Sequence, residues 1–176
     1  MAGSLIKIDE EIVTSAVASV TLGGSDWDSS YDVYMVAINN MLVVTNGQPV
    51  FRVTESGTPN TTSNYDRAGK LLRSVSAFSN FSNTNLNKGY LTGSSIGTTD
   101  NESANLIMYI FNANNSSEYT FFTQEATTRA DGGELRGGQS GSVFTSTSAI
   151  DGIQFFNDSG SGNIASGQFV LYGLAK

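Results

Sequence analysis

Apolar residues recur along this chain in short runs separated by stretches rich in Gly, Asn, Asp and Ser. Phe169, Val170, Leu171 and Tyr172 form the most telling run, with Gly162 and Gly167 before it and Gly173 after it. Aromatic and β-branched residues favour strands, and apolar residues at consecutive positions predict a strand buried on both faces. Such a strand lies inside a sheet, not at its edge. Because it comes last, its partners lie far back in the chain, and the domain closes only when the chain is complete.

Residues 31–38 and 106–111 read the same way, as central strands. Residues 119–123 return as the hairpin partner of the second. Residues 4–22 carry Ile6, Ile8, Ile12, Val13, Val17 and Val20 among Ser and Thr, which are poor helix formers, so strand is preferred over helix. Asn39 and Asn40 predict a turn, and Asn46-Gly47 predicts a hairpin joining residues 41–44 to 50–53. In the latter run Phe51 and Val53 share one face and Arg52 takes the other. Residues 56–66 read as a long surface loop, 67–78 as a strand, and 79–100 as an Asn/Ser/Gly-rich stretch anchored by Tyr90, Leu91 and Ile96. Residues 130–141, with Gly132, Gly133, Gly137, Gly138 and Gly141, read as a tightly turning or mobile loop. Residues 143–144 and 150–156 supply two more strands.

The tally is about nine or ten short strands at roughly 8–12-residue spacing, which predicts an all-β fold. We expect a single-domain antiparallel sandwich, jelly-roll-like, over residues 1–176, with residues 1–11 as an N-terminal arm. No internal repeat, heptad or linker divides the chain.

Composition narrows the chemistry. The 176 residues include 19 Gly but 2 Pro, and charged residues make up 14 %. That low charge density, with 39 % apolar residues, is the composition of a packed domain, not of a disordered acidic chain. A net charge of −7 argues against nucleic acid and against an anionic membrane surface as partners. Cys and His are both absent, which removes disulfides, thiol nucleophiles and any Ser-His-Asp triad. The N-terminus lacks the charged and apolar regions of a signal peptide, so we expect synthesis in a cytoplasm and no conventional secretion.

Several groups carry candidate chemistry. Asp26 and Asp28 flank Trp27 in a Gly/Ser loop. Two carboxylates so placed can ligate Ca²⁺, but the remaining ligands of a calcium loop are missing, and Asx-turn chemistry is the preferred reading. Trp27 and Tyr31 are the candidate ligand or partner contacts. They read either as a stacking platform for a sugar or, preferably for Trp27, as a cap on the end of the core. Arg67, Lys70 and Arg73 form a small basic cluster, read as a salt-bridged or solvated face. Asp9, Glu10 and Glu11 lack the apolar surroundings that raise a catalytic carboxyl pKa, so they read as solvated surface. No phosphate loop follows the glycines of residues 131–141. No catalytic residue, metal or cofactor is expected, and we read the chain as a non-enzyme.

The stretches 4–9, 31–36 with Ile38 and Asn39, 52–54 with 57–60, 63–66, 111–119 and 167–174 also carry a resemblance. Across nearly its full length the sequence resembles a group of small virion structural proteins of marine tailed bacteriophages. The resemblance implies a β-rich particle component exposed on a head or tail, and it brings no catalytic residues. A capsid decoration or head-fibre protein is the first expectation, docking on the major capsid protein. The alternative is a tail-fibre or receptor-binding module that contacts host glycans or a tail protein. The absence of a coiled coil or fibrous repeat favours the compact lattice unit. A closed homotrimer is expected from the symmetry of shell positions.

Overall fold

The computed structural model describes residues 4–130, 132–160 and 162–175. Residues 1–3 of the expected arm, one residue in each of two loops and the final residue lie outside them. Thirteen strands are present among the described residues: β1 (Leu5–Val13), β2 (Ser19–Gly23), β3 (Val33–Val43), β4 (Pro49–Glu55), β5 (Thr58–Pro59), β6 (Tyr65–Arg73) and β7 (Ser79–Leu86). They continue with β8 (Gly89–Tyr90), β9 (Ala104–Phe111), β10 (Thr120–Arg129), β11 (Leu135–Phe144), β12 (Gly152–Asn157) and β13 (Ile164–Leu174). A single turn of 3₁₀ helix spans Gly24–Asp26.

The strands form two antiparallel sheets packed as a sandwich. The long sheet has the order β1-β13-β3-β9-β10-β11-β6-β7, and the short one β2-β12-β4-β5, with β8 also paired to β4. Eight of the strands pair in nested fashion: β1 with β13, β2 with β12, β3 with β9, and β4 with β5. From β1 to β4, and again from β12 to β13, successive strands alternate between the sheets as the chain wraps round itself, which is jelly-roll-like wiring. The segments β6–β8 and β10–β11 are additions to that wrap, and four of these strands widen the long sheet.

β13 lies between β1 and β3, as the sequence implies. Phe169 and Leu171 are fully buried against the core, and Val170 on the other face is buried as well. Aromatic side chains bridge the sheets. Phe51 of β4 meets Phe122 of β10 at 4.9 Å, and Phe155 of β12 meets Phe169 of β13 at 5.6 Å. Tyr65 joins this core at 5.0 Å from Phe144. Its hydroxyl accepts from the Val53 N–H and donates to the Asn60 carbonyl, so the one polar atom it buries is satisfied.

Four sequence expectations are corrected. The strand total is thirteen, because β5 and β8 are two-residue pairings and β7 is almost wholly polar. Asn39 and Asn40 do not turn the chain; they form a bulge inside β3. There Asn40 takes φ 52° and the pairing register with both neighbours slips. Gly167 stands opposite this bulge at φ 146°, and a Cβ there would press on the Met41 Cα, so only glycine fits. Asn46-Gly47 is not a hairpin turn, since β3 belongs to the long sheet and β4 to the short one. The dipeptide carries the chain across the sandwich, and Gly47 pairs with Ile96. Finally, residues 135–141 are not loop; together with the expected strand at 143–144 they form the interior strand β11, which is laddered to β10 on one side and β6 on the other. Ladder bonds on both edges outweigh the poor strand propensity of its glycines.

A chain ending at Gly162 loses β13 and with it the partners of β1 and β3, so it is expected to show no cooperative thermal transition by circular dichroism. In the full chain Leu171→Ala is expected to cost about 2–5 kcal/mol by urea denaturation. Val75→Ala, at a side chain 74 % exposed, should change the midpoint little.

Candidate functional site

Trp27 and Tyr31 come together at one end of the sandwich. The 3₁₀ turn at Gly24–Asp26 leads into Trp27, whose indole stacks on Tyr34 with centroids 4.1 Å apart and planes inclined at 22°. Tyr31 meets the same Tyr34 edge-on at 6.1 Å. Both Trp27 and Tyr31 are half-buried and pack against the core. The indole Nε1 donates to Asn114 Oδ1 at 2.9 Å. Asn114 Nδ2 in turn approaches the Ser29 carbonyl at 3.1 Å, the Tyr31 carbonyl at 2.9 Å and the Tyr34 hydroxyl at 2.7 Å. The Tyr34 hydroxyl donates to the Asp28 carbonyl at 2.5 Å, and burial pushes its pKa up.

One asparagine from the β9–β10 loop thus ties down the loop that carries Trp27. Asn114 carries no signal of this role in the sequence, because nothing distinguishes it from Asn112 and Asn115 beside it. A polar recess of about 390 Å³ opens next to the tie, lined by Ser29, Tyr31, Asp32, Asn112 and Asn114 among others. One face of the Trp27 ring is taken by Tyr34, so any ligand meeting this end meets the other face or the Tyr31 edge.

Asp28 serves the local backbone: its Oδ1 accepts from the Ser30 N–H at 2.9 Å, an Asx turn, which lowers its pKa. Asp26 is exposed. Among the described residues no three His, Cys, Asp or Glu side chains gather as a metal-binding group. Asp9 caps the Gly23 N–H at 2.9 Å, and Glu10 pairs with Lys7 at 2.7 Å and accepts from Gln168 at 2.7 Å. Those bonds to Lys7 and Gln168 hold the Glu10 carboxyl below its ordinary pKa.

Strand periodicity splits the basic cluster. Arg67 and Arg73 lie on the face of β6 that turns toward the short sheet, and Lys70 on the opposite, outer face. Arg67 is sandwiched over the rings of Tyr90 at 3.9 Å and Phe81 at 4.9 Å, and donates to Asn83. Arg73 grips Glu134 through two bonds at 2.7 and 2.8 Å, and Arg136 reaches the same carboxylate at 2.6 Å. The Arg73 bonds, then those of Arg136, hold the Glu134 carboxyl down at about 2. This carboxylate fastens the start of β11 to the end of β6. Lys70 Nζ has no partner among the described residues.

The outer face of the long sheet has no covering layer among the described residues, and Ile107, Tyr109 and Phe121 stand exposed on it. At the sheet's end, β1 pairs with β13 alone among the described residues, leaving its other edge open. Residues 5–11 of the stretch read as an arm belong to this edge strand. Leu5 is 46 %, Ile6 44 % and Ile12 58 % exposed along it. A register break between Lys7 and Asp9, with Glu10 and Glu11 following, interrupts the open ladder midway.

No protein-family model matches the chain, and no curated protein matches it in sequence.

Asn114→Ala is expected to lower stability by about 1–3 kcal/mol and to shift the Trp27 fluorescence maximum to the red, since the indole N–H loses its acceptor. The Glu134 pKa is lower folded than its ordinary 4.5. Its contribution is therefore complete above pH 4.5 and lost as pH falls through about 2. Melting temperatures between pH 5 and pH 2 are expected to fall less steeply in Glu134→Gln than in the unmodified chain.

Proposed function

We propose that this chain is a non-enzymatic structural protein of a bacteriophage particle, exposed on its surface as a capsid decoration or head-fibre protein. The observation that carries the reading is the open edge of β1, where Leu5, Ile6 and Ile12 are exposed beside an unpaired ladder. A neighbouring subunit can add a strand to such an edge and cover those side chains; main-chain bonds then give affinity and the apolar pockets give specificity. The charges and register break at the middle of β1 restrict which strands fit, as a lattice-specific contact requires. The resemblance to small virion proteins supports the same reading. So does a jelly-roll-like sandwich, an architecture that viral shells use repeatedly.

In this reading the partner is the major capsid protein of the same virion, the chain assembles as a homotrimer, and it reaches the particle from the host cytoplasm. Quantitative mass spectrometry of purified virions tests it. The expected copy number is comparable to that of the major capsid protein. A small fraction of that number would move the chain to the tail or to a portal-proximal fibre, and absence from particles would overturn the structural role.

A further inference from the structure

Most glycines inside the strands are accounted for by packing. A Cβ on Gly69 would strike the Gln139 carbonyl, one on Gly152 the Leu22 carbonyl, and one on Gly173 the Tyr31 ring. Gly137 and Gly141 are different. Their side-chain positions point to the outer face of the long sheet, and neither has a positive φ. The nearest atom to an added Cβ is Leu72 Cδ1 at 3.4 Å for Gly137 and the Phe122 carbonyl at 3.8 Å for Gly141, both ordinary contact distances. A Cβ fits at both positions, and a residue with a side chain suits an interior strand better, since glycine there costs stability. Glycine that the fold does not require marks a place where something else approaches the backbone.

The missing side chains leave two recesses of about 590 and 550 Å³. Gln139 stands between them, and its amide donates to Glu125 at 3.1 Å. Gly137 and Gly141 are about 14 Å apart along β11 at about 3.4 Å per residue, so the recesses form one interrupted trough. Its Gly141 end is walled by Tyr109, Thr123 and Lys70, its Gly137 end by Leu72, Asn105 and Thr127, and Ile107 borders both.

We propose that this trough binds a neutral oligosaccharide laid along β11. The wall chemistry matches both aspects of a sugar. Tyr109 and Ile107, 39 % and 45 % exposed, offer apolar surface to ring C–H faces. Thr123, Thr127, Gln139, Glu125 and the Lys70 ammonium, which has no partner among the described residues, offer donors and acceptors to hydroxyls. The trough carries one cation and one carboxylate, and the chain carries −7 overall, which selects against an anionic polysaccharide. The trough reaches from β6 across β11, β10 and β9 to Ala37 and Asn39 of β3, with β13 between it and β1, so the open β1 edge is not part of its lining and the proposal does not depend on where the chain sits in a particle.

The test titrates the full chain, by calorimetry, with short neutral oligomers of glucose, galactose, mannose and N-acetylglucosamine, and with an oligogalacturonate as the acidic probe. Saturable binding to at least one neutral oligomer is expected. The double variant Gly137→Val with Gly141→Val is expected to melt at or above the temperature of the unmodified chain and to bind at least about tenfold more weakly. Gln139→Ala, a change to an exposed side chain, should also weaken binding if the glycine variant does not fold. Absence of binding to every neutral probe, binding of the acidic probe alone, or sugar binding unchanged in Gln139→Ala and in a folded double variant would each overturn the proposal. Loss of self-association in the filled variant, with no sugar bound by the unmodified chain, would assign the trough to a second copy instead.

Discussion

The fold depends on the pairing of its last strand with its first and third. β13 donates and accepts ladder bonds on both edges, to β1 and to β3, while Phe169 and Leu171 insert into the core between the sheets. The nested pairs outside and inside this one, from β1–β13 down to β4–β5, are a single wrap of the chain. Each outer pair closes a longer loop than the one within it, so the outermost contact carries the largest closure cost and is rewarded last. The bulge at Asn40 and the glycine opposite it at Gly167 bend β3 and β13 together, and the shared distortion holds the two strands in one register past the slip.

That register is legible in the sequence only in part. Runs such as 106–111 and 169–172 announce interior strands because every position is apolar and β-favouring, but only the second is buried on both faces, since Ile107 and Tyr109 of the first stand exposed on the outer face. The hairpin from β9 to β10 follows from adjacency. The sequence was silent where tertiary pairing overrode local preference. β11 looks like a loop because its glycines have no strand propensity, yet two neighbours supply its hydrogen bonds. β7 looks like a loop because an edge strand exposed on both faces needs no alternation, and only Phe81 and Leu86 turn inward to partial burial. Asn46-Gly47 has hairpin chemistry, but turn residues also serve a crossing between sheets, and the local code does not say which. The site was legible to the same degree. Trp27 and Tyr31 were visible as aromatics in a loop, whereas Asn114, which anchors them, was one amide among several.

The strands added to the wrap connect architecture to the proposed roles. β10, β11, β6 and β7 widen the long sheet, and the Glu134 clamp between Arg73 and Arg136 fastens two of them at one end. The result is a broad outer face with an apolar line at Ile107, Tyr109 and Phe121 and a glycine-floored trough beside it. The proposed docking edge at β1 lies at one margin of the same sheet. One sheet thus carries a proposed assembly contact on its β1 edge and a proposed ligand contact on its outer face, with β13 between the two.

Native-state hydrogen exchange followed by NMR measures the primacy of β13 most directly. If the last strand closes the domain, the amides of Phe169, Val170 and Leu171 exchange only through global unfolding, with the same denaturant dependence as the whole protein. Exchange of those amides through a smaller opening, while β9 and β10 stay protected, would show that the β9–β10–β11 meander is the stable unit and that β13 is an addition to it.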